Sequence, residues 1–161
     1  MERPDPTAFV AGATGYTGQA VVRELVRRGV ATHAHVRPCS PRLDTHREIF
    51  EALDAHVDTT PWEPTAMIEA LQRLNPTHVF CLLGTTAGRA RREKKAGGEG
   101  LMYEEVDFGM TKMVIDASVA MTAAPILVYL SAMGVNEARP SNRYMLARWR
   151  VEQVLRETSL R

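Results

Sequence analysis

Three glycines spaced three residues apart form the segment with the clearest chemical potential. Gly12, Gly15 and Gly18 lie in the run Gly-Ala-Thr-Gly-Tyr-Thr-Gly. A short apolar run ends before Gly12, and apolar residues at helical spacing follow Gly18, which predicts a strand-to-helix turn. Glycine allows a tight turn and a close approach to an anion, and the amides of the helix N-terminus point at that anion. The pattern predicts a pyrophosphate-binding turn; a tight turn that binds nothing is the alternative.

The end of the second predicted strand indicates which dinucleotide such a turn would hold. An acidic residue about 20 positions beyond the glycines bonds the ribose 2′-hydroxyl of NAD in folds of this kind. No acidic residue lies between Ala31 and Cys39, and Arg37 stands there instead. A guanidinium can form paired hydrogen bonds to a 2′-phosphate. The sequence favours NADP over NAD, unless Arg37 is only a solvated strand end.

Strands and helices alternate along the sequence according to the spacing of apolar residues. Strands are predicted at 7–11, 31–36, 55–58, 78–83 and 125–130, and helices after Gly18 and at 48–53, 65–74, 106–121 and 144–155. The strands at 78–83 and 125–130 are continuous apolar runs, typical of strands buried on both faces. Residues 89–100 are basic and glycine-rich without apolar periodicity, which predicts a mobile surface loop. This alternation predicts an α/β doubly wound parallel sheet, strand order 3-2-1-4-5, in a single domain over residues 1–161.

Composition narrows the classes of protein that fit. The 161 residues are 45% hydrophobic and 24% charged with a net charge of +1, which fits a globular domain and indicates neither nucleic acid nor an anionic membrane as partner. The apolar runs are shorter than the ~20 residues of a membrane-spanning helix, and without a signal-peptide core a cytoplasmic location is expected. His33 and His35 share a strand face without a third ligand, so no metal site is predicted. Cys39 and Cys81 are too few for a disulfide framework.

Several motifs together resemble one family. They are the glycine turn, Val36-Arg37, the run from Cys81 through Leu-Leu-Gly-Thr to Thr86, Val106-Asp107, Leu130-Ser131 and Tyr144. Together they resemble the atypical short-chain dehydrogenases, in particular the Tat-interacting-protein-like group and the NmrA-like NAD(P)-binding proteins, which have the Rossmann fold. The resemblance implies that Thr14, Tyr16 and Thr17 surround the pyrophosphate and that Asp58 lies near the adenine. It places Leu83, Gly84 and Thr85 along the ribose and nicotinamide, with core packing as an alternative for Leu83.

The same resemblance implies a set of catalytic residues. Short-chain dehydrogenases carry a Tyr-x-x-x-Lys helix and a serine after the fifth strand; here Tyr144, Arg148 and Ser131 occupy those places. Tyr144 would act as acid or base, Arg148 would tune it, and Ser131 would polarise a small carbonyl or hydroxyl substrate. Arginine replaces lysine, and Ala132-Met133 follow the serine where the family carries hydroxyls. A non-catalytic NADP-sensing or partner-binding protein is therefore the alternative to an oxidoreductase.

The resemblance also bears on length and assembly. Resembling proteins continue into a sixth strand and a substrate lobe, whereas this sequence ends at Arg161. We therefore expect either a shortened cofactor domain or a small paralogue that borrows surface from a partner. The predicted helices at 106–121 and 144–155 are expected to pair in a homo-oligomer, with core filling as the alternative role of their methionines.

Overall fold

The computed structural model describes residues 5–97, 102–135 and 140–161. Five parallel strands form one sheet in the order β3-β2-β1-β4-β5. The strands are β1 (Thr7–Ala11), β2 (Ala31–His35), β3 (His56–Asp58), β4 (His78–Cys81) and β5 (Ile126–Tyr129). The predicted strand order 3-2-1-4-5 is confirmed.

The helices connect the parallel strands. They are α1 (Tyr16–Arg27), α2 (Leu43–Glu51), α3 (Pro64–Leu74), α4 (Ala87–Lys95), α5 (Thr111–Val119) and α6 (Arg143–Arg156), with a π-helix (Tyr103–Met110) running directly into α5. The predicted helix at 48–53 begins earlier, at Leu43, and the predicted helix at 106–121 opens as the π-helix. Among the helices of the described ranges, none combines the length and apolarity that crossing a bilayer requires.

Two apolar cores cover opposite faces of the sheet. Side chains alternate along a strand, so Phe9 and Val10 of β1 enter different cores. Phe9 packs with Leu71 of α3 and Val114 of α5. Val10 packs in the other core with Val22 of α1 and with residues of α2 and β2. Helices on both faces make this the predicted doubly wound α/β fold.

The prediction that residues 89–100 form a loop is wrong for the first half of this segment. The helix α4 covers residues 87–95, and residues 98–100 lie outside the described ranges. Absence of apolar periodicity suggested a loop, but an exposed helix needs no apolar stripe. Ala, Arg, Lys and Glu dominate this segment, and these residues favour helix through their backbone propensity alone.

The prediction that residues 125–130 form a strand buried on both faces is also wrong. Strand β5 lies at the edge of the sheet, with Ile126 44% exposed and Val128 39% exposed. Their neighbours Leu127 and Tyr129 pack against the core that contains Phe9. An apolar run therefore indicated the strand correctly, but its apolar outer face is left open in the described part of the chain. The main-chain N–H of Leu127 donates to the carbonyl of Arg161 (2.9 Å) at the outer edge.

Candidate cofactor and active site

The glycine turn lies between β1 and α1 and leaves no room for side chains at two positions. Gly12 has φ +86°, and a Cβ there would come within 2.7 Å of the Leu82 main chain. A Cβ on Gly18 would lie 2.1 Å from the carbonyl oxygen of Gly12. Both distances are far below van der Waals contact, so the turn requires glycine at both positions. The backbone therefore holds the N-terminus of α1 close against the end of β1.

The N-terminus of α1 has the donors that an anion needs. Gly15 is the N-cap and supplies no side-chain cap, and the first turn contains no acidic residue. The N–H groups of Tyr16, Thr17 and Gly18 have no partner within the helix. The side chain of Gln19 donates to the carbonyl of Thr14 (3.0 Å), which fixes the turn, while the Tyr16 side chain is 95% exposed. The turn thus presents backbone amides, with the Tyr16 ring directed to solvent.

A cavity of about 160 Å³ extends from this turn along the carboxyl ends of the strands. Gly12, Thr14 and Gly15 line it, and Arg37 and Ser40 line it as well. Ligands of open parallel sheets bind at this edge, where the order of the strands reverses between β1 and β4. The cavity therefore brings the glycine turn and the predicted 2′-phosphate residue to one site.

Two aromatic residues in the cavity wall were not predicted as site residues. His35 Nε2 donates to the carbonyl of Thr60 (2.8 Å), and the Trp62 ring lies 4.7 Å from the His35 ring. Burial lowers the pKa of His35, which favours the neutral imidazole. Asp58, expected near the adenine, is not part of this wall: its carboxylate accepts from the Thr60 N–H (3.0 Å). Asp58 thus holds the loop that carries Trp62.

A second cleft, of about 260 Å³, opens on the other side of the glycine turn. Tyr144 and Arg148 line it together with Thr85. Leu83 and Gly84 line both this cleft and the first cavity, so the segment that follows β4 lies between the two. The structure therefore brings together the residues assigned to the cofactor turn and the Tyr144 helix.

Arg148 is 5% exposed and is held on several sides. Its guanidinium lies 2.9 Å from the Asp107 carboxylate and donates to the carbonyl of Leu130 (2.9 Å) and the hydroxyl of Tyr129 (3.2 Å). Asp107 also accepts from the main-chain N–H of Thr85 (2.9 Å). Arg148 and Asp107 therefore join α6, the π-helix, the end of β5 and the turn after β4. Sequence reasoning quoted Asp107 only as a motif residue and missed this contact.

Burial raises the pKa values of two acidic groups at this ion pair, Asp107 and Tyr129. Burial raises the pKa of the Asp107 carboxyl, and the Arg148 guanidinium and Thr85 oppose that shift. Burial also raises the pKa of Tyr129 to about 12, so this phenol stays protonated at neutral pH. A Cβ on Gly84 would lie 2.5 Å from Arg148 Nη2, so the small residue at 84 leaves room for the guanidinium.

Tyr144, which lies on α6, and Ser131, which contacts α6, face different surroundings. The Tyr144 ring lies 5.3 Å from the Arg148 guanidinium carbon and packs edge-on against Tyr103 at 5.6 Å. Ser131 donates its hydroxyl proton to Glu152 of α6 (2.6 Å) and lines neither cleft. Tyr144 therefore faces the second cleft, while the Ser131 hydroxyl proton is already donated to a carboxylate.

Comparison with known proteins agrees with this architecture. Residues 12–161 match a family described as NAD(P)H-binding. No curated protein sequence matches the chain. The fold is similar to UDP-glucose-4-epimerase from Stenotrophomonas maltophila with bound NAD (15% identity, TM-score 0.71), covering 94% of this chain and 48% of that one. It is also similar to leucoanthocyanidin reductase from Vitis vinifera with NADPH (21% identity, TM-score 0.70), covering 96% of this chain and 47% of that one.

A third structure of similar fold is an oxidoreductase of the short-chain dehydrogenase/reductase family from Burkholderia thailandensis. The identity is 16% and the TM-score 0.66, covering 91% of this chain and 59% of that one. This chain spans about half the length of the epimerase and the reductase. The family match confirms that the chain is similar to NAD(P)H-binding proteins, and the three solved structures share its fold.

Proposed function

Because the chain belongs to the NAD(P)H-binding family, we propose that it binds NADP and serves hydride transfer to or from a small carbonyl or hydroxyl compound. One observation carries the cofactor choice: Arg37 lines the same cavity as the glycine turn, and no acidic residue lies between Ala31 and Cys39. A carboxylate there would accept from the 2′-hydroxyl of NAD, whereas a guanidinium pairs with the 2′-phosphate of NADP.

The residues present fit a dinucleotide. The steric requirement for glycine at positions 12 and 18 and the uncapped N-terminus of α1 make a cradle for the pyrophosphate. Arg37 and Ser40 would hold the 2′-phosphate, and Leu83, Gly84 and Thr85 would lie along the nicotinamide half. When bound, the dinucleotide supplies the hydride acceptor or donor at its nicotinamide ring.

The side chains of the second cleft would handle the substrate proton. Tyr144 would donate a proton to the substrate oxygen during reduction and take it back during oxidation. The Arg148 guanidinium carbon lies 5.3 Å from the centre of the Tyr144 ring, so its positive charge faces the side chain that would transfer the proton. In this role Arg148 acts through its charge, because its two terminal nitrogens already contact Asp107 and the carbonyl of Leu130.

A second candidate function rests on different contacts of the same region. Ser131 donates to Glu152, so its proton is not available to polarise a carbonyl, and the Arg148 fork is engaged within the protein. These contacts favour a non-catalytic NADP-binding regulator. In that case the site would bind the dinucleotide and change a contact with a partner without turning over.

Calorimetric titration with NADP and NAD, followed by a screen of carbonyl and alcohol substrates, tests both candidates. We expect NADP to bind more tightly than NAD, and turnover to be detected by the absorbance of the reduced nicotinamide. Tyr144→Phe should retain NADP affinity and lose turnover, because it removes only the hydroxyl. Binding without turnover across the substrate classes would favour the regulator, and absence of NADP binding would overturn both candidates.

A further inference from the structure

The helix α4 concentrates positive charge next to the second cleft. It contains five of the 20 Lys and Arg residues and one of the 19 Asp and Glu residues. Its net charge is therefore +4, whereas the remainder of the chain carries −3. A chain that looks electrically balanced as a whole thus has one strongly cationic element.

Four cations of α4 form no ion pair with the described side chains of the protein. Arg91, Arg92, Lys94 and Lys95 are exposed, and no described ion pair includes them. None of these side chains belongs to either core. At about 100° per residue the four cations occupy roughly 160° of the helix circumference, so they form one face. Lys94 and Lys95 interact favourably with the helix dipole because they lie at the C-terminus of α4. Arg91 and Lys95, however, are four residues apart and repel each other.

The position of α4 connects this basic face with the second cleft. The helix begins at Ala87, directly after Thr85 and Thr86, which line the cleft beside Tyr144. With a rise of about 1.5 Å per residue, the four cations lie roughly 6 to 12 Å along the helix from its first residue. This offset from the first residue of α4 suits a charged group of a molecule whose reacting carbon lies beside Tyr144.

We propose that the basic face of α4, defined by Arg91, Arg92, Lys94 and Lys95, binds a phosphate-bearing group of the substrate. The inference rests on the proposed function, since it names the substrate class as a diphosphate ester of a carbonyl or hydroxyl compound. A compact anion with several charges can contact all four cations at once. An extended polyanion such as nucleic acid would also meet the remainder of the chain, whose charge of −3 repels it.

Titration of the NADP-saturated chain with inorganic pyrophosphate at low salt tests the proposal. Saturation with NADP blocks the glycine turn, so the probe reports a second anion site. The variant R91Q/R92Q/K94Q/K95Q removes the charges with little change in helix propensity. The matched control R23Q/R27Q/R28Q/R47Q removes the same charge from α1 and α2. Arg23 and Arg27 lie in the C-terminal half of α1 and Arg28 is its C-cap, so all three are away from the glycine turn.

We expect pyrophosphate to bind the wild-type chain, at least tenfold loss of affinity in the α4 variant, and a change of less than twofold in the control. Equal losses in both variants, or no binding to the wild-type chain, would overturn the proposal. A DNA duplex that binds through α4 when pyrophosphate does not would replace it with a nucleic-acid surface. An NADP titration carried out first distinguishes failure of the proposed function from failure of this proposal. If NADP does not bind, the pyrophosphate affinities of the two variants are compared on the free chain.

Discussion

The half of the sheet that contains β1 and β2 and the half that contains β4 and β5 position their site residues by different means. On the β1–β2 side, glycines 12 and 18 and the amides of α1 form the site from main-chain atoms, and helices pack on both faces. On the β4–β5 side, the buried pair of Asp107 and Arg148 forms the site, and one face of β5 is open. The first side therefore depends on steric fit of the backbone, and the second on charges that must be paired.

The largest effect is expected where the buried pair is broken. Arg148→Met leaves the Asp107 carboxylate buried without its counter-charge, which should lower the free energy of unfolding by about 3–5 kcal/mol. Arg156→Met is the control, because Arg156 is exposed, lies 3.7 Å from the half-buried Glu152 and should contribute about 0–1 kcal/mol. Denaturant unfolding measures both. Similar losses in the two variants would show that the β4–β5 side does not depend on the buried pair.

The glycine turn should respond to a single methyl group. Gly18→Ala places a Cβ against the Gly12 carbonyl, so we expect a loss of about 1–3 kcal/mol of stability from overpacking, together with loss of NADP binding. Gly88→Ala is the matched control, since a Cβ there meets no atom within 4 Å. Thermal melts and calorimetry provide the readouts. Retained NADP affinity in Gly18→Ala would contradict the steric basis of the site.

Acid should weaken the β1–β2 side through two buried histidines, His35 and His46, and the half-buried His33. Burial lowers the pKa of His33, His35 and His46 below 6.5. The unfolded chain then binds more protons, so stability falls as the pH drops below about 6.5, by about 1.4 kcal/mol per unit of pKa difference. His46→Leu keeps the apolar contact with Phe50, 6.1 Å between ring centroids, and should reduce the loss of stability between pH 8 and pH 5. An unchanged pH dependence in this variant would exclude His46 as a contributor.

Cofactor preference should shift with one charge at the end of β2. In Arg37→Asp the carboxylate repels the 2′-phosphate and can accept from the 2′-hydroxyl, so NADP affinity should fall about tenfold, or about 1.4 kcal/mol, relative to NAD. Arg42→Asp makes the same charge change on the same loop outside the cavity wall. Competitive titration of the two dinucleotides measures the ratio. If Arg42→Asp shifted it equally, general charge rather than a contact of Arg37 would be responsible.

The smallest effect is expected on the open face of β5. Val128→Thr changes a side chain that is 39% exposed and should alter stability by less than about 0.5 kcal/mol. The same change at Val79, fully buried on the neighbouring strand β4, introduces a hydroxyl into the core and should cost about 1–3 kcal/mol. Denaturant unfolding compares them. A large loss in Val128→Thr would show that this face is covered in solution.

Local patterns in the sequence predicted most of what the backbone determines. The glycine spacing and the alternation of apolar runs gave the strand-to-helix turn and the strand order, because both follow from residues close together in the chain. The exposed α4 was missed, since it lacks the apolar period of an amphipathic helix. The apolar spacing at 106–121 predicted a helix there, but not that it opens as a π-helix. Exposure of Ile126 and Val128 depends on the absence of a packed neighbour, which an apolar run does not reveal.

The side-chain contacts of the site were less predictable. Ser131 meets Glu152 and Arg148 meets Asp107 across 21 and 41 residues of sequence, and nothing local marks either pair. Trp62 and His35 come together because Asp58 fixes the loop through Thr60. Tyr144 and Arg148 are four residues apart, which places both on one helical face, but this spacing did not predict that Asp107 and Leu130 would already bind the guanidinium.

The π-helix makes the length of one segment a determinant of the site. Its wider turns fit one more residue per hydrogen-bonded ring than an α-helix, and Asp107 lies inside it. Deleting a single residue between Asp107 and Thr111 would convert the segment towards an ordinary α-helix and rotate Asp107 by about 100° relative to α5. The carboxylate would then point away from Arg148 without any change in amino-acid composition around it. Homologous or engineered chains should therefore be compared here by residue count first, since an alignment gap in this segment separates the two charges.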